Sequence, residues 1–258
     1  MLGKENWIYS LKNLPRFVKE CRNNRYRFNL PYVKISSIAE QYYCEVKVHN
    51  EYKFGEISTE AKEEGRKIHE ELIKMKPINI EKLVHLIKSR SLYSCTFPVY
   101  AKINELTIIG VPDLIVFKNL IPYLLIELKT TCRNINEVWL DEKIQIKTYA
   151  YALDYMGFDC NRLSLIIIKI KRDKNIPPRE ILDIVIISHL TNKLNKLKVI
   201  EKKLNFRTYN IAYSKEEILK KLYWAKDYWL EKRNPIPTRN INKCKACPYK
   251  RECKSSLR

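Results

Sequence analysis

The chain has 258 residues, 45% of them hydrophobic and only five of them glycine, enough to build one substantial core and too apolar for a disordered or fibrous protein. Its formal net charge is +20, from 49 Lys and Arg against 29 Asp and Glu, which points to a polyanionic partner. Nucleic acid is expected before membrane, because no basic amphipathic helix dominates, no apolar run is long enough to span a bilayer, and residues 1–10 do not resemble a secretory leader. The eight cysteines are therefore expected in a reducing, cytoplasmic interior, where metal ligation is commoner than disulfides.

Residues 1–35 set Trp7, Tyr9, Phe17, Tyr26, Phe28 and Tyr32 among Lys and Arg. Such interleaving suits either a DNA-contact arm, where rings stack on bases and cations hold phosphates, or a small packed helical appendage. A short helix capped by Ser36 or Ser37 is predicted to end near Cys44. Residues 58–76 read as an amphipathic helix, capped by Ser58 or Thr59, with Ala61, Gly65, Ile68, Leu72 and Met75 as its apolar stripe. A helical glycine costs about 1 kcal/mol against alanine, so Gly65 marks a close approach, and His69 lies one turn on along the same side. A second helix is predicted over 80–93, with Leu83, Leu86 and Ile87 inward and His85 outward, then a strand over 95–103 turning at Asn104-Glu105.

Two apolar runs follow, 106–117 and 121–129, joined by Lys118-Asn119-Leu120 and predicted to form a buried hairpin. Buried strands should carry no unpaired charge, yet these carry Asp113, Glu127 and Lys129. Strand alternation puts Glu127 and Lys129 on one face with Leu128 opposite, and Asp113 on the neighbouring strand within reach. Two carboxylates and an ammonium at one point suit a hydrolytic site for a hard divalent cation, Mg²⁺ or Mn²⁺, with the lysine steadying a water or a phosphate. Thr130, Thr131 and Cys132 are expected near the strand's exit, with no paired histidine to make Cys132 a nucleophile.

A helix over 136–156 presents Gln145 and Tyr149 at i and i+4 on one face. Strands are predicted over 163–170 and 180–188, with Lys169 and Lys171 near the first one's exit. Helices over 190–204 and 214–233 would turn Leu194, Leu197 and Ile200, then Ile218, Leu222, Ala225 and Trp229, inward. Pro235 and Pro237 break the last helix into a tail that carries Cys244-x-x-Cys247 and Cys253. That spacing is a strong metal-ligand pattern with one ligand missing, for which Cys44 is the candidate. Four thiolates suit Zn²⁺ or an iron–sulfur cluster, and the spacing alone does not separate them.

The order Pro112-Asp113, then Glu127-Leu128-Lys129, resembles the PD-(D/E)xK nuclease superfamily, whose α/β, restriction-endonuclease-like fold is a mixed sheet flanked by helices. Gly65-xxx-His69 ahead of it and Gln145-xxx-Tyr149 behind resemble the RecB-like branch, and the enclosing Cys44 and Cys244, Cys247 and Cys253 make the whole similar to the Cas4 family. The resemblance implies metal ligation by His69, Asp113, Glu127 and the Leu128 carbonyl, with Lys129 orienting the attacking water. Gln145 would position the site and Tyr149 would support it. It further implies a structural [4Fe–4S] cluster on Cys44, Cys244, Cys247 and Cys253, with Cys21, Cys95, Cys132 and Cys160 outside it. Single-stranded DNA would be the main substrate, with Cas1 and Cas2 as partners in CRISPR spacer acquisition. The alternatives are a RecB/Dna2-like repair nuclease and a catalytically silent DNA-binding iron–sulfur protein; the intact Asp113, Glu127 and Lys129 set speaks against the second. The expected organisation is a basic helical segment over 1–57, a nuclease core over 58–233 and a cysteine tail over 234–258 that packs near residue 44. One departure from the Cas4 pattern is Glu45, where many members have proline.

Overall fold

The computed structural model describes residues 6–59, 63, 79–131, 134–171 and 177–257. Of the helix expected over 58–76 only Ser58, Thr59 and Glu63 are described, so Gly65 and His69 lie outside the described residues, as does Cys132.

The basic N-terminal stretch is a packed appendage. Helices α1 (Asn6–Lys12) and α2 (Leu14–Cys21) lay Trp7 on Phe158 at 5.2 Å and Phe17 on Tyr100 at 3.9 Å between ring centroids. Buried Tyr26 accepts the Thr107 N–H at 3.0 Å, and of the six aromatics expected to serve an arm only Tyr9, at 72%, is largely exposed. Trp7 and Tyr26 are buried in the core, and this packing favours the helical appendage of the two readings.

A small sheet is built from β1 (Val33–Lys34), β3 (Val99–Ile103) and β4 (Leu106–Gly110), in the order β1-β4-β3. A larger one joins β2 (Leu92–Cys95), β5 (Leu114–Lys118), β6 (Ile121–Thr131), β7 (Ser164–Lys171) and β8 (Phe206–Ile211), in the order β2-β5-β6-β7-β8. Only β6 and β7 run parallel within the larger sheet, and their crossover is the helix α6 (Leu140–Tyr155).

The run expected as one strand over 106–117 is two strands in different sheets. Pro112 has no N–H to give a ladder, and around it the chain leaves the small sheet after Gly110 and enters the larger one at Leu114. Pro98 divides the strand expected over 95–103 in the same way, into the end of β2 and β3. The strand expected over 180–188 is instead part of helix α7 (Pro178–Leu190), with Pro178 in its first turn. Ile181, Leu182 and Val185 are buried at helical spacing while Ile187 is exposed, a pattern a strand would not give. The place of that strand is taken by β8, at the sheet's edge.

Helices α3 (Ile35–Tyr43) and α4 (Glu45–Phe54) follow β1, and α3 begins at Ile35, one residue before the serines expected to cap it. Helices α5 (Ile80–Ser89), α8 (Leu194–Leu204), α9 (Lys215–Trp229) and α10 (Ile241–Lys245) complete the described set. On one face of the larger sheet Leu124, Ile126 and Leu128 pack with Ile166, Ile168 and Ile170 under α7 and α8. On the other face Leu125, Leu165 and Ile167 join the main core with α6 and the small sheet. Each such side chain contributes about 1.5–3 kcal/mol by leaving water.

The tail beyond α9 is anchored by a buried charge. Glu45, 1% exposed, accepts both guanidinium nitrogens of Arg233 at 2.5 and 2.6 Å, the Gln41 amide at 2.6 Å and the Ile236 N–H at 2.7 Å. Farther along, the buried Tyr249 hydroxyl donates to the Gly55 carbonyl at 2.7 Å and accepts the Ile57 N–H at 3.1 Å.

Candidate active site and cysteine cavity

Alternation along β6 turns Glu127 and Lys129 toward α6, and Leu128 into the opposite core. Asp113 stands at the end of the crossing between the two sheets, just ahead of β5. Its Oδ2 accepts the Leu128 N–H at 2.7 Å, which docks the carboxylate beside Glu127. The described part of the expected set is thus gathered by a sheet-to-sheet crossing, where sequence reasoning had put Asp113 on a strand.

Lys129 Nζ donates to Glu127 Oε1 at 2.8 Å and to Gln145 Oε1 at 2.8 Å. Burial pulls the ammonium's pKa down, but the charges of Glu127 and Asp113 and the bond to Glu127 more than offset it, so the net shift is upward. Lys129 is therefore a fixed cation at neutral pH, suited to holding an anion and unsuited to taking a proton. Tyr149, one turn after Gln145, is buried, and burial followed by the Glu127 charge raises its phenol well above the ordinary range. It stays a neutral donor, and it gives that hydrogen bond to the Val111 carbonyl at 3.0 Å. The Thr96 hydroxyl holds the next carbonyl, that of Pro112.

Gly110 makes this contact possible. A Cβ there would stand 2.8 Å from Tyr149 Cε1 and 2.9 Å from Ile35 Cβ. Neither Gly110 nor Thr96 was singled out from the sequence; a glycine inside an apolar strand was the available sign of a close approach.

Among the described residues no three His, Cys, Asp or Glu side chains stand close enough to hold a metal ion. The third expected side-chain ligand, His69, lies outside them. What is described fits a hard cation: two carboxylates brought together, one of them only 2% exposed, with a lysine alongside. When bound there, such an ion supplies Lewis-acid polarisation of a phosphoryl oxygen and a more acidic water.

A cleft of about 400 Å³ opens from Lys129 and Gln145 toward the tail, walled by Tyr43, Trp139, Asp141 and Glu142. Lys169, expected near the exit of its strand, is buried beside Lys129 on β7 and is spent on Glu142 at 3.0 Å and the Glu137 carbonyl at 2.7 Å. Past Tyr43 lies a second, small cavity of about 20 Å³, lined by Cys44, Cys244, Cys247 and Cys253 together. Burial, with a smaller effect of the neighbouring thiols, raises the pKa of Cys247 and of Cys253. Four thiols around one cavity are a soft donor set that fits a zinc ion or an iron–sulfur cluster, although they have not closed to ligand spacing. Cys21, Cys95 and Cys160 line no part of it.

No curated protein matches the chain. A solved structure described as "Crystal structure of SSO0001" aligns with 97% of this chain and 96% of its own, at a TM-score of 0.51 and 15% identity, a likeness of fold. The profile of the PD-(D/E)XK nuclease superfamily matches residues 35–254, a span that holds Asp113, Glu127 and Lys129 as well as the cysteine-bearing tail. By that match the chain belongs to the PD-(D/E)XK nuclease superfamily.

Proposed function

We propose that the protein is a Mg²⁺- or Mn²⁺-dependent deoxyribonuclease of the Cas4 type, acting mainly on single-stranded DNA. The observation that carries this reading is the bond from the Leu128 N–H to Asp113, which joins Asp113, Glu127 and Lys129 into one constellation. Asp113 and Glu127, with the Leu128 carbonyl and His69, hold the cation. Lys129 orients the attacking water and faces the charge that develops on the phosphate. Gln145 fixes the Lys129 ammonium, and Tyr149 fixes the Asp113 segment through Val111. The +20 formal charge supports a polyanionic substrate.

Cys44, Cys244, Cys247 and Cys253 carry a [4Fe–4S] cluster that closes the tail against α3 and α4, a reading supported by their shared cavity. A reduced, cytoplasmic setting follows from thiol ligands of this kind, and no helix of the described residues is long and apolar enough to cross a membrane. The Cas4 resemblance makes Cas1 and Cas2 the expected partners, in trimming spacer precursors.

Asp113→Ala and Glu127→Ala are expected to abolish cleavage while leaving DNA binding nearly intact. Purified without oxygen, the protein should be brown with about four iron atoms per chain. Loss of colour is expected on replacing any of the four ligand cysteines, and none on replacing Cys21, Cys95, Cys132 or Cys160. Continued cutting by the carboxylate variants with Mn²⁺ present would overturn the catalytic assignment. A colourless protein with stoichiometric zinc would replace the cluster by a zinc clamp.

A further inference from the structure

We propose that Tyr43 and Trp139 form a stacking platform for the bases of a single-stranded nucleic acid whose backbone runs to Lys129. This names a substrate subsite within the nuclease reading and rests on that reading. Tyr43 ends α3 and Trp139 immediately precedes α6, and both half-buried rings wall the cleft whose floor holds Lys129 and Gln145. The rings are near parallel, 19° apart, with centroids separated by 6.2 Å. Phe17 and Tyr100 are 3.9 Å apart, and Phe28 and Tyr52 5.0 Å, so the cleft pair is the more loosely stacked. Lys243 Nζ lies 4.5 Å from the centroid of Tyr43, and Lys169 Nζ lies 5.7 Å from that of Trp139. The backbone of both residues is held as well. The Tyr43 carbonyl accepts Lys243 Nζ at 3.1 Å, and the Trp139 N–H donates to Glu142 at 2.8 Å.

The charges of the cleft favour bases over phosphates as what its walls recognise. Lys129 and Lys169 share it with Glu40, Asp141 and Glu142. Glu142 is paired with Lys169 at 3.0 Å and Glu40 with Lys47 at 2.6 Å, so these walls carry little net charge. Long-range attraction then comes from the rest of the basic surface, and the cleft contributes ring faces, which accept any base.

The test compares binding of the full-length protein to oligothymidine and to an abasic oligomer of equal length and charge, by fluorescence anisotropy with EDTA present. Wild type should bind oligothymidine about tenfold more tightly than the abasic strand. Trp139→Leu and Tyr43→Leu fill similar space without a π face and should erase that preference, while the slope of log affinity against log salt stays unchanged. Trp139→Phe should keep most of the preference, which a merely structural role for the ring would not predict. Equal wild-type affinity for the two oligomers, or a preference that survives both leucine variants, overturns the platform. If the wild type still cuts DNA with Mn²⁺ in that case, the nuclease reading stands without it; failure both to bind and to cut would remove both.

Discussion

The Tyr149 hydroxyl donates to the Val111 carbonyl at 3.0 Å, so the helix that carries Gln145 also grips the backbone two residues ahead of Asp113. In the proposed nuclease reading this makes Tyr149 a positioning residue, acting on Asp113 through the chain. Tyr149→Phe removes the bond and keeps the ring. Its stability cost should be about 1 kcal/mol, and kcat should fall by roughly ten- to a hundredfold through misplacement of Asp113. DNA affinity measured without metal should not change. Unaltered kcat in the phenylalanine variant would remove the positioning role.

Gly110→Ala should injure the same linkage from the other side. The new methyl meets the Tyr149 ring at 2.8 Å and Ile35 Cβ at 2.9 Å, and a Cβ cannot rotate away. Overpacking of this kind costs about 1–3 kcal/mol, and here it also pushes Tyr149 off Val111. Urea denaturation and single-turnover cleavage should therefore fall together, whereas alanine at Gly55, where nothing lies within 4 Å, should spare cleavage despite its backbone strain at φ +92°.

Glu45→Ala leaves the half-buried Arg233 guanidinium without its carboxylate, at a cost of at most about 3–5 kcal/mol. Replacing both residues by methionine should recover part of that loss, because no unpaired charge remains. The measurement is the chemical denaturation midpoint of each variant. A single substitution costing less than about 1 kcal/mol would mean that the pair does not anchor the tail.

Cys95 and Cys160 should be silent thiols. Burial pushes both up to about 12, so neither presents thiolate at pH 8, and neither should be alkylated in the folded protein. Their folded pKa lies above the unfolded value near 9, so their contribution to stability is fully present below pH 9 and is lost as pH rises toward 12. Alanine at either position should flatten the alkaline fall of stability, whatever it does to stability at pH 7. Mass spectrometry after iodoacetamide treatment and pH-resolved melting curves check both points, and rapid labelling of Cys95 at pH 8 would contradict them.

Which side chains gather around Lys129 was more legible in the sequence than the topology. Glu127, Lys129, Gln145 and Tyr149 follow from local periodicity, and β6 and α6 keep that periodicity. Asp113 was found by its neighbours in sequence, but its placement depends on a change of sheet that Pro112 announces only weakly. Residues 180–188 mislead because Ile and Val dominate them; tertiary packing of one helical face, Ile181, Leu182 and Val185, overrides that β preference. The edge strand β8, Phe206–Ile211, carries Arg207, Thr208 and Asn210 and so lacks the apolar run that marked the central strands. Tyr43 and Trp139 meet only in three dimensions, and no spacing rule joins them. Glu45, read from the sequence only as a departure from a pattern, is the tail's main polar anchor.

That anchor has a consequence for how the chain is made. Glu45 leaves the ribosome 188 residues before Arg233. Until then its carboxylate has no guanidinium to meet, and seating α4 would bury a lone charge at a cost of several kcal/mol. The wall that carries Tyr43 and Cys44 is therefore expected to set only after Arg233, beyond the end of α9, has been synthesised. A nascent chain can pair β5 with β6, the strand that bears Glu127, well before it can close the cleft beside it, so the unfinished chain should stay short of its complete shape until Arg233 has emerged.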